Sequence, residues 1–170
     1  AIKYYPEEYA AKEAFKRLEV DMVSIDPQDW GVFQNIQEAY LLQSPSRYFE
    51  FVALNLRNPL FADAKVRQAM LLAVDRERIL QDTFLGRGMV IDSPILPFSW
   101  AFNTQLEHAP FSPSAASELL EEAGWKDEDS DGILEKFING KKYNLEFELL
   151  VNMSNATRYQ AAAQIEKCLK

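Results

Sequence analysis

The stretch 63-DAKVRQAMLLAVD-75 constrains the fold more than any other part of the chain. Val66, Ala69, Met70, Ala73 and Val74 recur at i, i+3, i+4, i+7 and i+8, the register that sets apolar side chains along one face of an α-helix. Asp63 stands where a carboxylate can accept from the first free N–H groups of that helix. Asp75 interrupts the register and can cap a second helix through Ile79, Leu80 and Phe84, closed by Gly86. The five residues of the first face are expected to be buried.

Around this pair, strand and helix patterns alternate. Pro6, Glu7 and Glu8 suit a first helical turn, and Ala11, Ala14, Phe15 and Leu18 mark an apolar face running to about Glu19. Residues 3–5 and 20–25 have the pattern of short strands, and Asp26-Pro27 starts a helix through Trp30 and Phe33. Two more strands are expected at 39-AYLLQ-43 and 48-YFEFVALNL-56, separated by Ser44-Pro45-Ser46. The second is apolar at nearly every position, which predicts a central strand covered on both faces. Residues 89–105 form a proline-rich, aromatic loop, and Ser112-Pro113 opens a helix with Ala116, Leu119, Leu120 and Ala123 on one side and Gly124 at its end. Ser154 or Asn155 starts the last helix. The fold class that follows is α/β (α+β), a mixed sheet with packed helices in a single domain over residues 1–170, with Leu119, Leu120, Phe147 and Leu149 joining the core.

Between the helix that ends at Gly124 and the last helix lies 124-GWKDEDSDGILEKFINGKKYNLEFELLV-151. Asp127, Asp129, Asp131, Gly132, the Ile133 carbonyl and Glu135 fit a calcium loop as far as its ninth position, but the twelfth is Ile138, where the bidentate carboxylate belongs. The downstream flank is also wrong for a calcium hand. Asn139-Gly140 is a two-residue hairpin signal, and Tyr143, Leu145, Phe147, Leu149 and Val151 alternate with Asn144, Glu146 and Glu148 as in a half-buried strand. The acidic run is therefore expected to be a turn leading into a hairpin, with no metal held.

Composition excludes several classes of function. A net charge of −8 with scattered lysines and arginines speaks against a nucleic-acid groove. One cysteine, Cys168, and one histidine, His108 in a polar loop, leave no internal disulfide and too few soft ligands for a catalytic transition metal. With no nucleophile beside a base and no glycine-rich nucleophile turn, a hydrolase is disfavoured and no catalytic residue is assigned. There is no run of apolar residues long enough to span a bilayer and no leader pattern at the start. The abrupt opening at Lys3-Tyr4-Tyr5 and the stop inside a helical pattern at Lys170 suggest a segment of a longer chain.

The combination 58-NPLFADAKVRQAMLLAVDRERILQDTFLGRG-88, 94-PILPFSW-100 and 116-ASELLEEAGWKDEDSDGILEK-136 resembles the family 5 extracellular solute-binding proteins of ABC importers, the oligopeptide- and dipeptide-binding proteins and their relatives. The resemblance implies part of one lobe of a two-lobed, periplasmic-binding-protein type II-like fold. It also implies a function: capture of a peptide or related small solute outside the cell, or in the periplasm, and delivery to permease subunits. Other implications are no cofactor, no nucleic-acid partner, and membrane attachment only through a lipid anchor outside this segment. Relatives carry nickel, haem, opines or oligosaccharides as well as peptides. The acidic turn is structural in such proteins, and the aspartate that receives a peptide's amino terminus is expected beyond residue 170.

The same resemblance points to two ligand-facing ends, the aromatic strand around Tyr48 and Phe51 and the junction 152-NMSNATR-158. Asn152 and Thr157 match positions that line the peptide pocket of relatives. Arg158 lies where some members place a cation for the peptide carboxylate. From the residues alone, Asn152 to Asn155 equally turn the chain and cap a helix while Arg158 is solvated. Ser99 and Trp100 are weaker candidates, the tryptophan being expected to plug the core. Arg67 and Asp75 are expected to be structural ion-pairing groups. A calcium-stabilised domain of a secreted protein is the alternative function.

Overall fold

The computed structural model describes residues 1–170, which divide into two compact units, Ala1–Pro45 and Ser46–Lys170. In the first, helix α1 (Glu8–Lys16) is followed by a 3-10 turn (Pro27–Asp29) and a short helix α2 (Trp30–Phe33). Ala14 and Phe33 are its buried residues, with the Phe15 and Phe33 rings 5.8 Å apart. Lys12 bridges Glu8 on its own helix and Asp29 in the turn. Helix α1 ends three residues earlier than its apolar pattern because Leu18 takes a left-handed conformation (φ 58°). The Leu18 N–H then donates to Phe15 O and the Glu19 N–H to Ala14 O. This is the closure usually made with glycine at that position, so the residue type gave no warning.

The second unit is built on two helix pairs and a hairpin. Helix α3 (Ala64–Ala73) packs on α5 (Pro113–Glu122), and α4 (Arg76–Phe84) packs on α6 (Ala156–Cys168). Each N-terminus is capped by a side chain: Asp63 accepts from the Lys65 N–H, Asp75 from Arg78, Ser112 from Ala115 and Asn155 from Arg158. Buried Ala69 on α3 and Ala116 on α5 are small residues on the two helices of one pair. Between α4 and α6, the Gln164 amide donates to the hydroxyl of buried Thr83 at 3.1 Å.

The core of this unit is Leu60, Phe61, Val66, Ala123 and Trp125, against which Met70, Leu120, Leu134, Ile138, Tyr143, Leu145 and Phe147 are packed. Trp125 is seated by the end of α5. Gly124 adopts φ 83°, its N–H donates to Glu121 O, and the Trp125 N–H donates to Leu120 O. That pattern reverses the chain over the last turn and turns the indole back onto Leu120. Here lies the physical content of the Ala-Gly-Trp motif. The hairpin pairs β1 (Glu135–Ile138) with β2 (Lys141–Asn144) across Asn139 and Gly140, both at positive φ as a type I′ turn requires. Beyond Asn144 the period-two burial continues through half-buried Leu145 and Phe147, the latter edge-on to Phe61 at 5.2 Å.

The hairpin and the helices agree with the patterns in the sequence, except that Asp26-Pro27 opens a 3-10 turn with no side-chain cap before the short α2, and the α+β class stands. Four expected strands do not form: residues 3–5, 20–25, 39–43 and 48–56 carry no ladder. The sheet is the two-stranded ribbon alone. A strand needs a partner for its N–H and C=O groups, and these runs find none among residues 1–170. The doubly apolar run 48–56 consequently has exposed side chains rather than two covered faces. Val66 and Ala69 are buried as expected, while Met70, Ala73, Val74, Leu119, Leu120 and Phe147 are half-buried. Leu149 is exposed at 36%, because the ladder ends five residues before it.

Candidate functional site

Two segments a hundred residues apart meet through one ion pair. Asn155 caps α6, so Arg158 falls in the first turn of that helix, with its own N–H bound to the Asn155 side chain. From there its guanidinium grips Glu50 with two parallel bonds, Nε to Oε2 at 2.8 Å and Nη2 to Oε1 at 2.9 Å. The fork geometry makes this a strong kind of charge-assisted bond. Glu50 holds the Arg158 pKa above its already high ordinary value. Glu50 lies between Phe49 and Phe51, whose rings are 5.3 Å apart, with Tyr48 two residues before it; Tyr48 and Phe51 are exposed at 89% and 69%.

The bridge therefore joins the aromatic run to 152-NMSNATR-158, the two regions singled out from the sequence. Asn152 makes a tight turn, its side-chain oxygen accepting from both the N–H and the hydroxyl of Ser154. Thr157 is half-buried at the start of the helix. Turning and capping are thus real roles of Asn152 and Asn155. Arg158 is not merely solvated, and its charge is already met by a carboxylate of its own chain. Sequence reasoning missed Glu50; the one signal was an acid inside an otherwise apolar run, and nothing local ties it to residue 158.

Other singled-out residues fall elsewhere. Trp100 is 98% exposed and plugs no core; the loop that carries it is closed by its own turns, with the Ser99 N–H on Leu96 O and the Phe102 N–H on Ser99 O. Arg67 and Asp75 are not ion-paired to each other. The Arg67 guanidinium donates to the carbonyls of Phe61 and Ala62, where it closes the turn before α3, and Asp75 caps α4. His108 is a loop residue, held at 2.5 Å from Asp92, which also pairs with Arg76 at 2.7 Å. Burial pushes the Asp92 pKa up, but hydrogen bonds from Arg76 and His108 outweigh it and hold the carboxyl below its usual range.

Carboxylate oxygens of Asp127, Asp129 and Glu135 lie within 4.8 Å of one another, as do those of Glu8, Asp26 and Asp29. In the first group the oxygens of Asp127 and Glu135 serve the protein itself, as do those of neighbouring Asp131. Asp127 accepts from the N–H groups of Asp131 and Gly132, and Asp131 accepts from Ile133. Buried Glu135 takes the Lys142 ammonium on one oxygen and the Glu128 N–H on the other, which lowers its pKa. The residue that stands ninth in the calcium register thus begins β1 and anchors β2. These contacts are those of a folded acidic turn.

The fold agrees with that of known proteins. The chain belongs to the family of bacterial extracellular solute-binding proteins, family 5, whose middle-region profile matches residues 1–170. It is 31% identical over 170 residues to the oligopeptide-binding protein AppA of Bacillus subtilis, covering 99% of this chain and 31% of that protein. The structure of AppA in complex with a nonapeptide aligns over 97% of this chain and 32% of its own, with a TM-score of 0.68 and 26% identity. NikZ of Campylobacter jejuni, solved with Ni(L-His), aligns over 98% of this chain and 33% of its own, with a TM-score of 0.78 and 29% identity. The chain thus spans about a third of the length of these relatives.

Proposed function

We propose that this chain supplies part of one lobe of a substrate-binding component of an ABC importer, which captures a peptide outside the cell and delivers it to a membrane permease. The observation that carries the reading is the Glu50–Arg158 bridge. It ties exposed Tyr48 and Phe51 to Asn152, Thr157 and Arg158, five positions of the kind that hold an extended peptide, with aromatic faces for side chains and amide or hydroxyl groups for the backbone. Such clefts bury a ligand between two lobes, so each lobe contributes only some of the contacts. Family membership over all 170 residues and the likeness to peptide-bound AppA support the same role.

A related small solute is the second reading, favoured by the likeness to NikZ solved with Ni(L-His). Calorimetric titration of the full-length protein with a mixed peptide library, and separately with Ni(L-His), distinguishes the two. Peptide binding that weakens about tenfold or more in the double variant Asn152→Ala, Arg158→Ala supports the first. Binding of Ni(L-His) alone supports the second. Peptide affinity unchanged in the double variant removes both residues from the site.

A further inference from the structure

Asn139 stands apart from every other asparagine of the chain. It alone precedes a glycine, and its side chain alone makes no hydrogen bond. The others are held: the Asn103 oxygen accepts from the Gln105 N–H, the Asn144 amide donates to Glu146, and Asn155 caps α6. Asn139 and Gly140 are both exposed at the tip of the β1–β2 hairpin, and beyond the chain neighbours no atom lies within 4 Å of where a Cβ on Gly140 would stand. The Gly140 N–H has no backbone acceptor. An unbound carboxamide and an unhindered backbone nitrogen one residue on are the two reactants of an intramolecular imide closure.

Asp131-Gly132 offers a comparison within the same segment, since aspartate before glycine can close the same ring. There both reactants are engaged: Asp131 Oδ1 accepts from the Ile133 N–H at 2.8 Å, and the Gly132 N–H donates to Asp127 Oδ2 at 3.0 Å. By sequence the two dipeptides are alike, and their hydrogen bonds separate them.

We propose that Asn139 is a site of spontaneous covalent modification, deamidation through a cyclic imide with water as the only co-reactant. Hydroxide removes the Gly140 N–H proton, the nitrogen bonds to Asn139 Cγ, and the Cγ–Nδ2 bond breaks as ammonia leaves with a proton from water, which restores the hydroxide. Water then opens the ring. Cleavage at Cγ gives aspartate, and cleavage at the main-chain carbonyl gives isoaspartate, whose backbone runs through Cβ and Cγ. Ring closure requires the turn to leave its type I′ geometry, so the reaction passes through opening of the tip, a small cost for a ribbon of two four-residue strands. Isoaspartate adds one carbon to the backbone of a two-residue turn, so the Ile138–Lys141 closing pair and the Glu135–Lys142 ion pair behind it lose their register. Modification thereby loosens a hairpin whose Ile138 and Tyr143 pack on the core, whichever ligand the protein takes.

The full-length protein is held at mildly alkaline pH, folded and in urea, and peptide mapping by chromatography and mass spectrometry follows each asparagine and Asp131. In the folded protein Asn139 is expected to convert before any other asparagine of residues 1–170 and before Asp131 isomerises, at a rate within about tenfold of its rate in urea. Earlier reaction at any of those sites, or an Asn139 slowed well beyond that range, overturns the assignment. Asn139→Asp supplies the new charge without the longer backbone. Hydrogen–deuterium exchange across Glu135–Asn144 is expected to speed up in the chromatographically separated isoaspartyl form and to keep the wild-type rate in Asn139→Asp. Exchange unchanged in the isoaspartyl form, or equally faster in Asn139→Asp, overturns the loosening.

Discussion

At the scale of single residues, the bidentate Glu50–Arg158 pair shows what a sequence withholds. Both groups could be seen, and Arg158 was singled out, but a partner 108 positions away leaves no trace in local pattern. Caps are the opposite case. Asp63, Asp75, Ser112 and Asn155 all act where their spacing predicts, because a cap is set by the next two or three residues. Glu50→Gln releases the Arg158 fork, and peptides with a free carboxylate are expected to bind the full-length protein a few-fold more tightly in calorimetry. The lowered pKa values of Glu135 and Asp92 carry a pH dependence. A carboxyl whose folded-state pKa is depressed contributes stability that is fully present above its unfolded value, about 4.3 for Glu and 3.9 for Asp. That contribution is lost as pH falls through the lower folded value, since the unfolded chain binds the extra protons first. The thermal midpoint should therefore drop with acid below about pH 4 to 5, and drop less steeply in Glu135→Gln.

At the scale of elements, the hairpin and the end of α5 rest on backbone conformations that only particular residues accept. Gly140 has φ 80° with open space where a Cβ would go, so Gly140→Ala meets no clash and its cost is conformational alone. Urea denaturation should show a loss of about 1–2 kcal/mol. Asp63→Ala, which leaves the Lys65 N–H without its acceptor, should cost about 1 kcal/mol by the same measurement. The run 48–56 marks the limit of element-level reading. Its composition predicts a strand covered on both sides, but pattern alone says nothing about where a partner strand would come from. Within residues 1–170 there is no strand beside it, so the expected sheet is absent and most of its side chains are exposed, Leu54 alone packing on the core.

At the scale of the molecule, stability of the larger unit depends on one indole. Trp125 is 1% exposed at the centre of the cluster formed by Leu60, Phe61, Val66 and Ala123, and it reaches that place through the turn at Gly124. Trp125→Ala is expected to cost about 3–5 kcal/mol in urea denaturation, enough to unfold much of a marginal domain. The motif order around that residue made the family legible in the sequence, while the Glu50–Arg158 pairing required the fold. The central claim is that segments 47–52 and 152–158 together form a peptide-binding face. Hydrogen–deuterium exchange on the full-length protein, with and without a saturating peptide, tests it most directly. The account predicts slowed exchange in both segments on peptide addition; slowing confined to other regions, with both segments unchanged while peptide is bound, would contradict it.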